Sequence, residues 1–585
     1  MERINNGSSV ITKMYWKIFP AQYFSLVTTF LCNFINGLII GNYLSSDSMA
    51  ALGIVMPITI IISSLASIFA SGAKIACGRL IGRNESDKIK NVYSCVVFLT
   101  LLLAIVSTLI VFNFADGISS LLGAKDELIE LTSLYIKGLA IGFIPTMLVP
   151  NFMAFFQITN DNNISLVSAI VLTICNLTFS LLNVNVFNGG IFGMGLSTSL
   201  AQFCSMAFLI IYIKLKKKVL KFHRNYINRK DSVNIVKLGT PSALANVLYS
   251  IRNIVFNTQA LSLAGTTAVS SLAILNTSCG IFDAFNIAQG TVVVMLASIF
   301  AGEKDKESLK KLYKTSILFG LIIGFVKIAI ICLFGKQFVS LFGAEGVVYE
   351  ESYRLYVLYS FAMPVNMITV TMLSIHQSLE RVSFANVIYA INAVGVPLFC
   401  CFILAPSMGI DIVWASYTLA EIVVIVFMYI YPLFKKKNPV KFEELFYLDS
   451  SFDDANKMSM TVKNIDDVVN VSKKVEEFCK AHNIDSKRSM MCGLCLEEIA
   501  GNVVEHGFTK SKRKNHSIEI FVQCDNDEVS MRIRDDAPYF DPRTKLGAYN
   551  PDDPCKNIGI RLVNEVAKDM NYQTYFDMNV LSVKL

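Results

Sequence analysis

Charge is what this chain has least of. Only 17% of its 585 residues are Asp, Glu, Lys or Arg, where a soluble globular chain carries about 25%. That deficit excludes a wholly soluble protein, and it is not uniform. Residues 1–440 hold 32 Lys and Arg against 20 Asp and Glu, and residues 441–585 hold 20 against 25. About 12% of the first part is charged and about 31% of the second, which implies an integral membrane part followed by a soluble domain. No Gly-x-x-x-x-Gly-Lys-Ser/Thr run occurs, so a P-loop pump is excluded. Cys492 and Cys495 form a Cys-x-x-Cys, but no second such pair and no histidine cluster accompanies it. With the other cysteines scattered mostly in apolar runs, this reads as buried reduced thiols, not a metal or redox centre. Residues 1–19 are polar, the apolar run from Pro20 is too long for a signal-peptide core, and no small-x-small site follows it. A cleaved leader is not expected.

What the chain does have is a basic segment that occurs twice. GRNESDKIKNVY (82–93) and GEKDKESLKKLY (302–313) each separate two long apolar runs, 220 positions apart. At nearly the same offset LLGAKDE (121–127) answers to LFGAEGV (341–347), Pro20 to Pro241, and GIFGMGLSTSLAQ (190–202) to GIDIVWASYTLAE (409–421). Four matches in register make a duplication. The chain is 53% hydrophobic with mean hydropathy +0.51, and a bilayer span needs about 20 apolar residues. Twelve spans are expected: 20–44, 52–78, 91–114, 130–157, 163–185, 189–215, 239–262, 269–300, 312–334, 351–378, 383–405 and 410–433. Lys and Arg crowd alternate loops, at 79–90, 214–230, 304–311 and 435–437, which places both termini in the cytoplasm. The basic excess belongs to these loops, so no nucleic-acid partner is expected. Two copies of six spans share one orientation and are related by an axis along the membrane normal, with a central cavity between them.

These features resemble the multidrug and toxic compound extrusion (MATE) transporters. The likeness rests on SSDSMAALGIVMPI after the first span, on the Gly-rich second span ending GRLIGRNES, and on Asn176 followed by GGIFGMGLSTS. The resemblance covers about residues 10–435. It implies a secondary exporter of a small organic solute, surrounded by membrane lipid in a bacterial-type plasma membrane and driven by H⁺ or Na⁺. Two positions depart from the family. Asn36 stands where the family usually has Asp in the first span. Asn176 and Ser180 stand where it has Asn-x-x-x-Asp in the fifth. None of the three titrates near neutral pH. An ion-coupling role then falls to other intramembrane ionisable groups. These are Arg252 in span seven and Asp283 in span eight, either as a mutual pair or as ligands in turn, with Lys137, Lys327 and Glu421 behind them.

Residues 435–455 read as a charged linker. Beyond it the apolar period returns at soluble-domain spacing. Helices are expected over 468–484, 489–508 and 557–570, strands over 518–525 and 529–536, and a final hairpin closes the chain. Glu498 and Asn502 lie one helical turn apart, where a carboxylate can position a hydroxyl or water while an amide oxygen holds a hard cation. LEEIAGNVVEHGF, a strand ending DDAPYFDP, NIGIRLVNEV and NVLSVKL, in that order, resemble the GHKL-type ATPases, and among them the serine kinases that act as anti-sigma factors. The resemblance implies ATP and Mg²⁺ as ligands. Glu498 would be the general base, Asn502 the Mg²⁺ ligand and Asp535 the adenine contact, with Gly559 at a helix start that faces phosphate. Ala537 and Asn557 stand where the family has glycine, so both border the same nucleotide site.

The domains expected are a cytoplasmic N-terminus (1–19), a six-helix lobe (20–215), an inter-lobe linker (216–238), a second six-helix lobe (239–434), a linker (435–455) and an ATP-binding α/β two-layer sandwich (456–585). The function expected is a MATE-like exporter with a cytoplasmic regulatory domain that meets a signalling protein. Two alternatives stand beside it: a non-transporting membrane sensor with serine-kinase output, and a flippase for lipid-linked precursors.

Overall fold

The computed structural model describes residues 10–44, 46–159, 161–216, 220–342, 344–453, 455–509, 516–525, 528–541, 543 and 558–585. The chain forms two compact units. The larger gathers Phe19–Glu303 and Tyr313–Tyr447, and the smaller gathers Met1–Ile18, Lys304–Leu312 and Leu448–Leu585.

The first copy in the larger unit comprises α1 (Val10–Tyr43), α2 (Ser46–Gly82), α3 (Ile89–Asn113), α4 (Ala115–Leu121), α5 (Glu127–Ala140), α6 (Phe143–Ile158), α7 (Asn162–Leu182) and α8 (Gly190–Leu215). The second comprises α9 (Arg229–Ser278), α10 (Gly280–Gly302), α11 (Lys306–Ser340), α12 (Gly346–Ser360), α13 (Ala362–Ser378), α14 (Val382–Ala390), the short α15 (Val396–Phe399) and α16 (Ala405–Met408), and α17 (Ile410–Phe434). Among the described residues, eleven helices are by length and composition able to cross a membrane, or twelve when α5 and α6 count as one bent span. This is the number read from hydropathy.

Several spans differ from the continuous helices expected: the tenth divides at Phe361 into α12 and α13, the eleventh is interrupted by π-type turns at Ile391–Gly395 and Cys400–Leu404, and the fourth and eighth are also broken. The fourth bends by 45° between α5 and α6. A Cβ at Gly142 would lie 2.5 Å from the Ser199 hydroxyl. That hydroxyl donates to the carbonyls of Gly138 at 2.7 Å and Leu139 at 3.2 Å. An inserted side chain of this kind bends a helix. Spans seven and eight meet at Gly265, whose φ of 68° turns the chain inside α9. Span eight then breaks again at Cys279, before α10. Shifting the bounds of α2 by the repeat offset of 220 reaches residues 266 and 302, the first residue after Gly265 and the last of α10.

The copies meet through glycine. A Cβ on Gly239 would lie 1.7 Å from the Ile68 carbonyl oxygen, and one on Gly72 would lie 2.1 Å from that of Ile235. Further along α2, a Cβ on Gly82 would strike the Ile299 carbonyl at 2.2 Å, and one on Gly302 that of Arg79 at 2.5 Å. Backbones touch here because no side chain intervenes, as small residues allow between helices in lipid. Gln377 on α13 ties the crossing, donating to the hydroxyls of Ser71 and Ser242, each at 3.2 Å. Arg79 is ion-paired with Glu380.

In the smaller unit five antiparallel strands lie in the order β1 (Lys457–Val462), β2 (Ile518–Asp525), β3 (Glu528–Asp535), β5 (Met578–Lys584), β4 (Asp569–Tyr575). After the short α18 (Phe442–Leu445), the helices α19 (Ile465–Ala481), α20 (Ser486–Asn502) and α21 (Ile558–Val566) complete the chain. Val468, Val471 and Val475 of α19, Cys492, Cys495 and Leu496 of α20, and Ile520, Val522 and Ile533 of the sheet form one buried core. Asn464 caps α19 by accepting from Asp467 N–H at 2.8 Å, and Asp485 caps α20 through Arg488 N–H at 3.0 Å, each a side-chain N-cap. Both cysteines of the Cys-x-x-Cys are free and buried, as packing alone requires. The first edge strand, β1, falls in a stretch that sequence periodicity left unassigned. The helix expected over 489–508 leaves α-geometry at Val503 for a π-type turn, Val503–Phe508.

Gly239→Val is expected to destabilise the purified protein by about 1–3 kcal/mol, the usual cost of overpacking, read as a fall in Tm. Gly37→Ala, where a Cβ meets nothing within 4 Å, is expected to leave Tm unchanged or slightly raised.

Candidate functional site

Three polar clusters stand out from their surroundings. In the first copy, Asn36 (7% exposed) from α1 and Asn176 (1% exposed) from α7 converge on one hydroxyl. Thr198 Oγ1 on α8 accepts from Asn36 Nδ2 at 3.3 Å and from Asn176 Nδ2 at 3.2 Å, and itself donates to the Met194 carbonyl at 3.2 Å. Ser180, one turn after Asn176, is fully buried. The remaining oxygens, Asn36 Oδ1, Asn176 Oδ1 and Ser180 Oγ, have no hydrogen-bond partner among the described residues. The sequence reading supplied three of these residues and missed Thr198. Its signal lay in the GIFGMGLSTS run, which was noted without assigning it a role.

The second copy holds the ionisable groups. Asp283 accepts from the Tyr359 hydroxyl at 2.8 Å. Lys327, 2% exposed, donates to Asn286 Oδ1 at 2.8 Å and stands over the Phe285 ring at 5.1 Å. Arg252 and Asp283 feel each other electrostatically, but no ion pair joins them among the described residues. The guanidinium instead lies 4.8 Å from the ring centres of both Tyr249 and Tyr417 and 5.9 Å from that of Phe256. A guanidinium is weakly hydrated and stacks on aromatic faces, and this arrangement takes the place of the direct pair that spacing suggested. Glu421, 6% exposed, accepts from Asn366 Nδ2 at 2.8 Å. Lys137 is engaged elsewhere, 3.3 Å from Asp116.

The third cluster lies in the smaller unit. Asn502 Nδ2 donates to Glu498 twice, to its backbone carbonyl at 2.6 Å and to its Oε1 at 2.8 Å. Both bonds use the amide nitrogen and neither uses Oδ1. The Glu498 carboxyl is seated against the first turn of α21, so that a Cβ on Gly559 would overlap it at 1.7 Å. No side chain larger than glycine's fits there unless Glu498 moves. Asp535 ends β3, 6% exposed. Its Oδ1 accepts from Ala537 N–H and from Asn579 Nδ2, both at 2.9 Å. Asn579 Oδ1 accepts in turn from the Tyr572 hydroxyl at 2.8 Å. Burial pushes Asp535 up to about 6, against those two hydrogen bonds. The Ala537 methyl, expected to crowd the site, packs toward Gly507, where an added Cβ would come within 2.9 Å of it. The extra carbon is thus absorbed by the glycine opposite. Asn557 lies outside the described residues. Glu498, Asn502, Asp535 and Gly559 thus all lie in the smaller unit, with the Asn502 amide on the Glu498 carboxyl and Asp535 buried at a strand end.

The same unit contains several buried or half-buried polar contacts between charged and titratable groups. Lys13 Nζ is 2.8 Å from Asp536 Oδ2, the residue next to Asp535, and His516 Nδ1 is 2.9 Å from the other oxygen. Burial alone would raise Asp536, but Lys13 and His516 bring it below the usual carboxylate range. Arg532 pairs with Asp305, and Arg534 with Glu519 at 3.2 Å.

Comparison with known proteins accords with both parts. The MatE family model matches residues 22–182 and 241–403, and the model described as a histidine kinase-like ATPase domain matches residues 462–585. The chain is 25% identical over 415 residues to the probable multidrug resistance protein YoeA of Bacillus subtilis, covering 68% of this chain and 89% of that one. It is 25% identical over 350 residues to the multidrug export protein MepA of Staphylococcus saprophyticus, covering 58% and 75%. A crystal structure of a MATE protein in complex with MaL6 superposes with a TM-score of 0.69 at 17% identity, over 73% of this chain and 96% of that one.

Asp535 sets a pH test. A carboxyl that holds its proton more tightly when folded, at about 6 against the usual 3.8, stabilises the fold at low pH and loses that contribution as pH rises from about 4 to 6. The loss is on the order of 3 kcal/mol. Hydrogen-exchange protection of the β3 and β5 amides in the full chain, corrected for intrinsic rate, is expected to fall over that interval. Asp535→Asn is expected to flatten the fall.

Proposed function

The chain belongs to the MatE family, and on that premise we propose that it is a secondary exporter of small organic solutes, driven by a H⁺ or Na⁺ gradient and regulated by its own ATP-binding domain. One observation carries the transport reading. Each copy buries a convergent polar cluster with unsatisfied oxygens inside an apolar helical unit, and polar groups held at membrane depth mark solute and ion pathways. The drug-export names of YoeA and MepA support the solute class. The basic loops set the orientation, with both termini and the carboxyl-terminal domain cytoplasmic.

In the smaller unit Asp535 would take the adenine amino group, Asn502 Oδ1 the Mg²⁺, and the first turn of α21 at Gly559 the phosphates. Bound ATP supplies a transferable phosphoryl group. Glu498, held by Asn502, is placed to accept a proton from a hydroxyl, the role of a serine kinase's base, so a signalling protein is the natural second partner. The regulatory reading rests on Lys13. It belongs to α1, the helix that also carries Asn36, and its ion pair is with the neighbour of the adenine-binding Asp535. Filling the nucleotide site displaces Asp536 through the backbone and acts on α1 through that pair. A sensor that relays solute occupancy without moving the solute is the second reading, favoured by the lack of a carboxylate in the Asn36–Asn176–Thr198 cluster. It predicts no flux.

Reconstituted full-length protein is expected to move a drug-like cation under an imposed H⁺ or Na⁺ gradient, and Mg-ATP is expected to change the rate severalfold. Asn502→Ala should lose Mg-ATP binding. Lys13→Met should keep ATP binding and flux but lose the effect of one on the other. Flux with neither gradient removes the exporter reading, and wild-type protein that binds no Mg-ATP removes the regulatory one.

A further inference from the structure

One face of the five-stranded sheet packs on α19 and α20 through Ile520, Val522 and Ile533. Side chains alternate along a strand, so Phe521, Arg532 and Arg534 stand on the other face. The smaller unit also gathers two stretches from outside residues 448–585. One ends at Ile18 and holds the start of α1; the other, Lys304–Leu312, holds the start of α11. Both helices continue into the larger unit, α1 in the first copy and α11 in the second.

Asp305 precedes α11 and is 2% exposed. Its Oδ1 accepts from Ser308 N–H at 2.9 Å and its Oδ2 from the Ser308 hydroxyl at 2.8 Å, which makes it the N-cap of that helix. The same Oδ2 pairs with Arg532 of β3, whose guanidinium lies over the Phe521 ring at 4.5 Å. Ser308, Leu309 and Leu312 continue this face of α11 at helical spacing, and all are buried. Lys311 stands 3.7 Å from Glu519, the partner of Arg534, and Lys457 donates to the Lys304 carbonyl at 3.2 Å. Burial alone would raise the Asp305 carboxyl, but Arg532, Ser308 and Arg534 bring it below the usual carboxylate range.

This contact is particular to the second copy. At the repeat offset, Asp305 and Ser308 answer to Glu85 and Lys88. Glu85 pairs with Lys88 at 2.9 Å, with side chains 38% and 60% exposed, so the first-copy acid finds its cation on its own turn. Serine in place of that lysine leaves Asp305 to take its cation from β3. Three contacts then fall within residues 532–536. Arg532 holds the start of α11, Asp535 is the adenine contact of the proposed nucleotide site, and Asp536 holds Lys13 of α1.

We propose that β3 is a crossbar between the two copies, through which nucleotide at Asp535 acts on α1 by the Asp536–Lys13 pair and on α11 by the Arg532–Asp305 pair. It rests on the ATP-binding reading of the smaller unit. A tie to one copy alone would carry the domain along with that copy. With one tie to each, a change along the strand alters how the two helix starts are held relative to each other. Neither ion pair is sufficient without the other.

Hydrogen exchange of residues 306–312, followed by mass spectrometry on full-length protein without and with Mg-ATP, tests the second tie. In wild type the nucleotide is expected to change the exchange rate of these amides about fivefold or more, the low end of coupling between linked sites. Asp305→Asn keeps a capping side chain and removes its charge, and Arg532→Gln removes the charge on the strand. Both variants, and the double variant that leaves no orphan charge, are expected to bind Mg-ATP and to lose the change. In reconstituted protein Asp305→Asn is expected to abolish the Mg-ATP effect on flux. Wild type that binds Mg-ATP with exchange at 306–312 unaltered, or variants that keep the wild-type response, overturns the proposal. Wild type that binds no Mg-ATP removes the nucleotide reading and the proposal with it.

Discussion

Backbone-to-backbone contact between the two copies is the constraint on which the larger unit depends. At Gly72, Gly82, Gly239 and Gly302 the partner's main chain lies where a Cβ would otherwise stand. Between helices in lipid the hydrophobic effect contributes little, so close packing and a few polar links must hold them together. The Gln377–Ser71–Ser242 hydrogen bonds and the Arg79–Glu380 pair are those links. Gly72 and Gly239 lie ten residues from Gly82 and Arg229, the basic ends of α2 and α9, or roughly 15 Å at 1.5 Å per residue. The contact therefore occupies the half of the unit nearer the basic loops.

The duplication, the number of spans and the location of the soluble domain were legible in the sequence because each rests on a periodic property summed over many residues. A twenty-residue apolar run is hard to misread, and a repeat in register at four places leaves little room for chance. The breaks were not legible. The bend at Gly142 depends on a hydroxyl from Ser199, more than fifty positions away, that takes up carbonyls the helix gives up. No local pattern announces such a partner. The turn at Gly265 was more accessible, since its equivalent lies between α1 and α2. Site residues divide in the same way. The contact of Asn502 with Glu498, one turn apart on one helix, was readable. Thr198, Asn366, Asn392 and Tyr359 act through partners on other helices and were not. Arg252 and Asp283 were readable as a pair or as ligands in turn, and the choice between these was not: Tyr249, one turn before Arg252, offers the guanidinium a ring.

The smaller unit shows how a departure from a family pattern at one position can be met by space at another. Ala537 adds a methyl where glycine is usual, and Gly507 leaves the space that receives it. The two positions behave as a coupled pair, and neither alone says whether a nucleotide fits. What a sequence pattern scores as a defect is here a redistribution of volume between β3 and the turn after α20.

The two copies have the same architecture and different chemistry, and the difference follows from a few positions. Asn176 and Asn392 lie on the fifth helix of each copy, about one turn out of register at the repeat offset of 220, and both are buried. Around Asn176 the neighbours are neutral, and their hydrogen bonds meet at Thr198. In the matched runs Thr198 corresponds to Tyr417, which holds Arg252, and Gln202 corresponds to Glu421. Two substitutions in one helix thus turn a neutral polar cluster into a charged one. In an apolar medium that change is not gradual, because a buried ionisable group must be matched by a counter-ion or a stacked ring, whereas an amide needs only a hydroxyl. A duplicated membrane unit can therefore keep one copy as a neutral polar surface and place its ionic chemistry in the other. The distribution of charge between the copies then assigns their roles more directly than the fold they share.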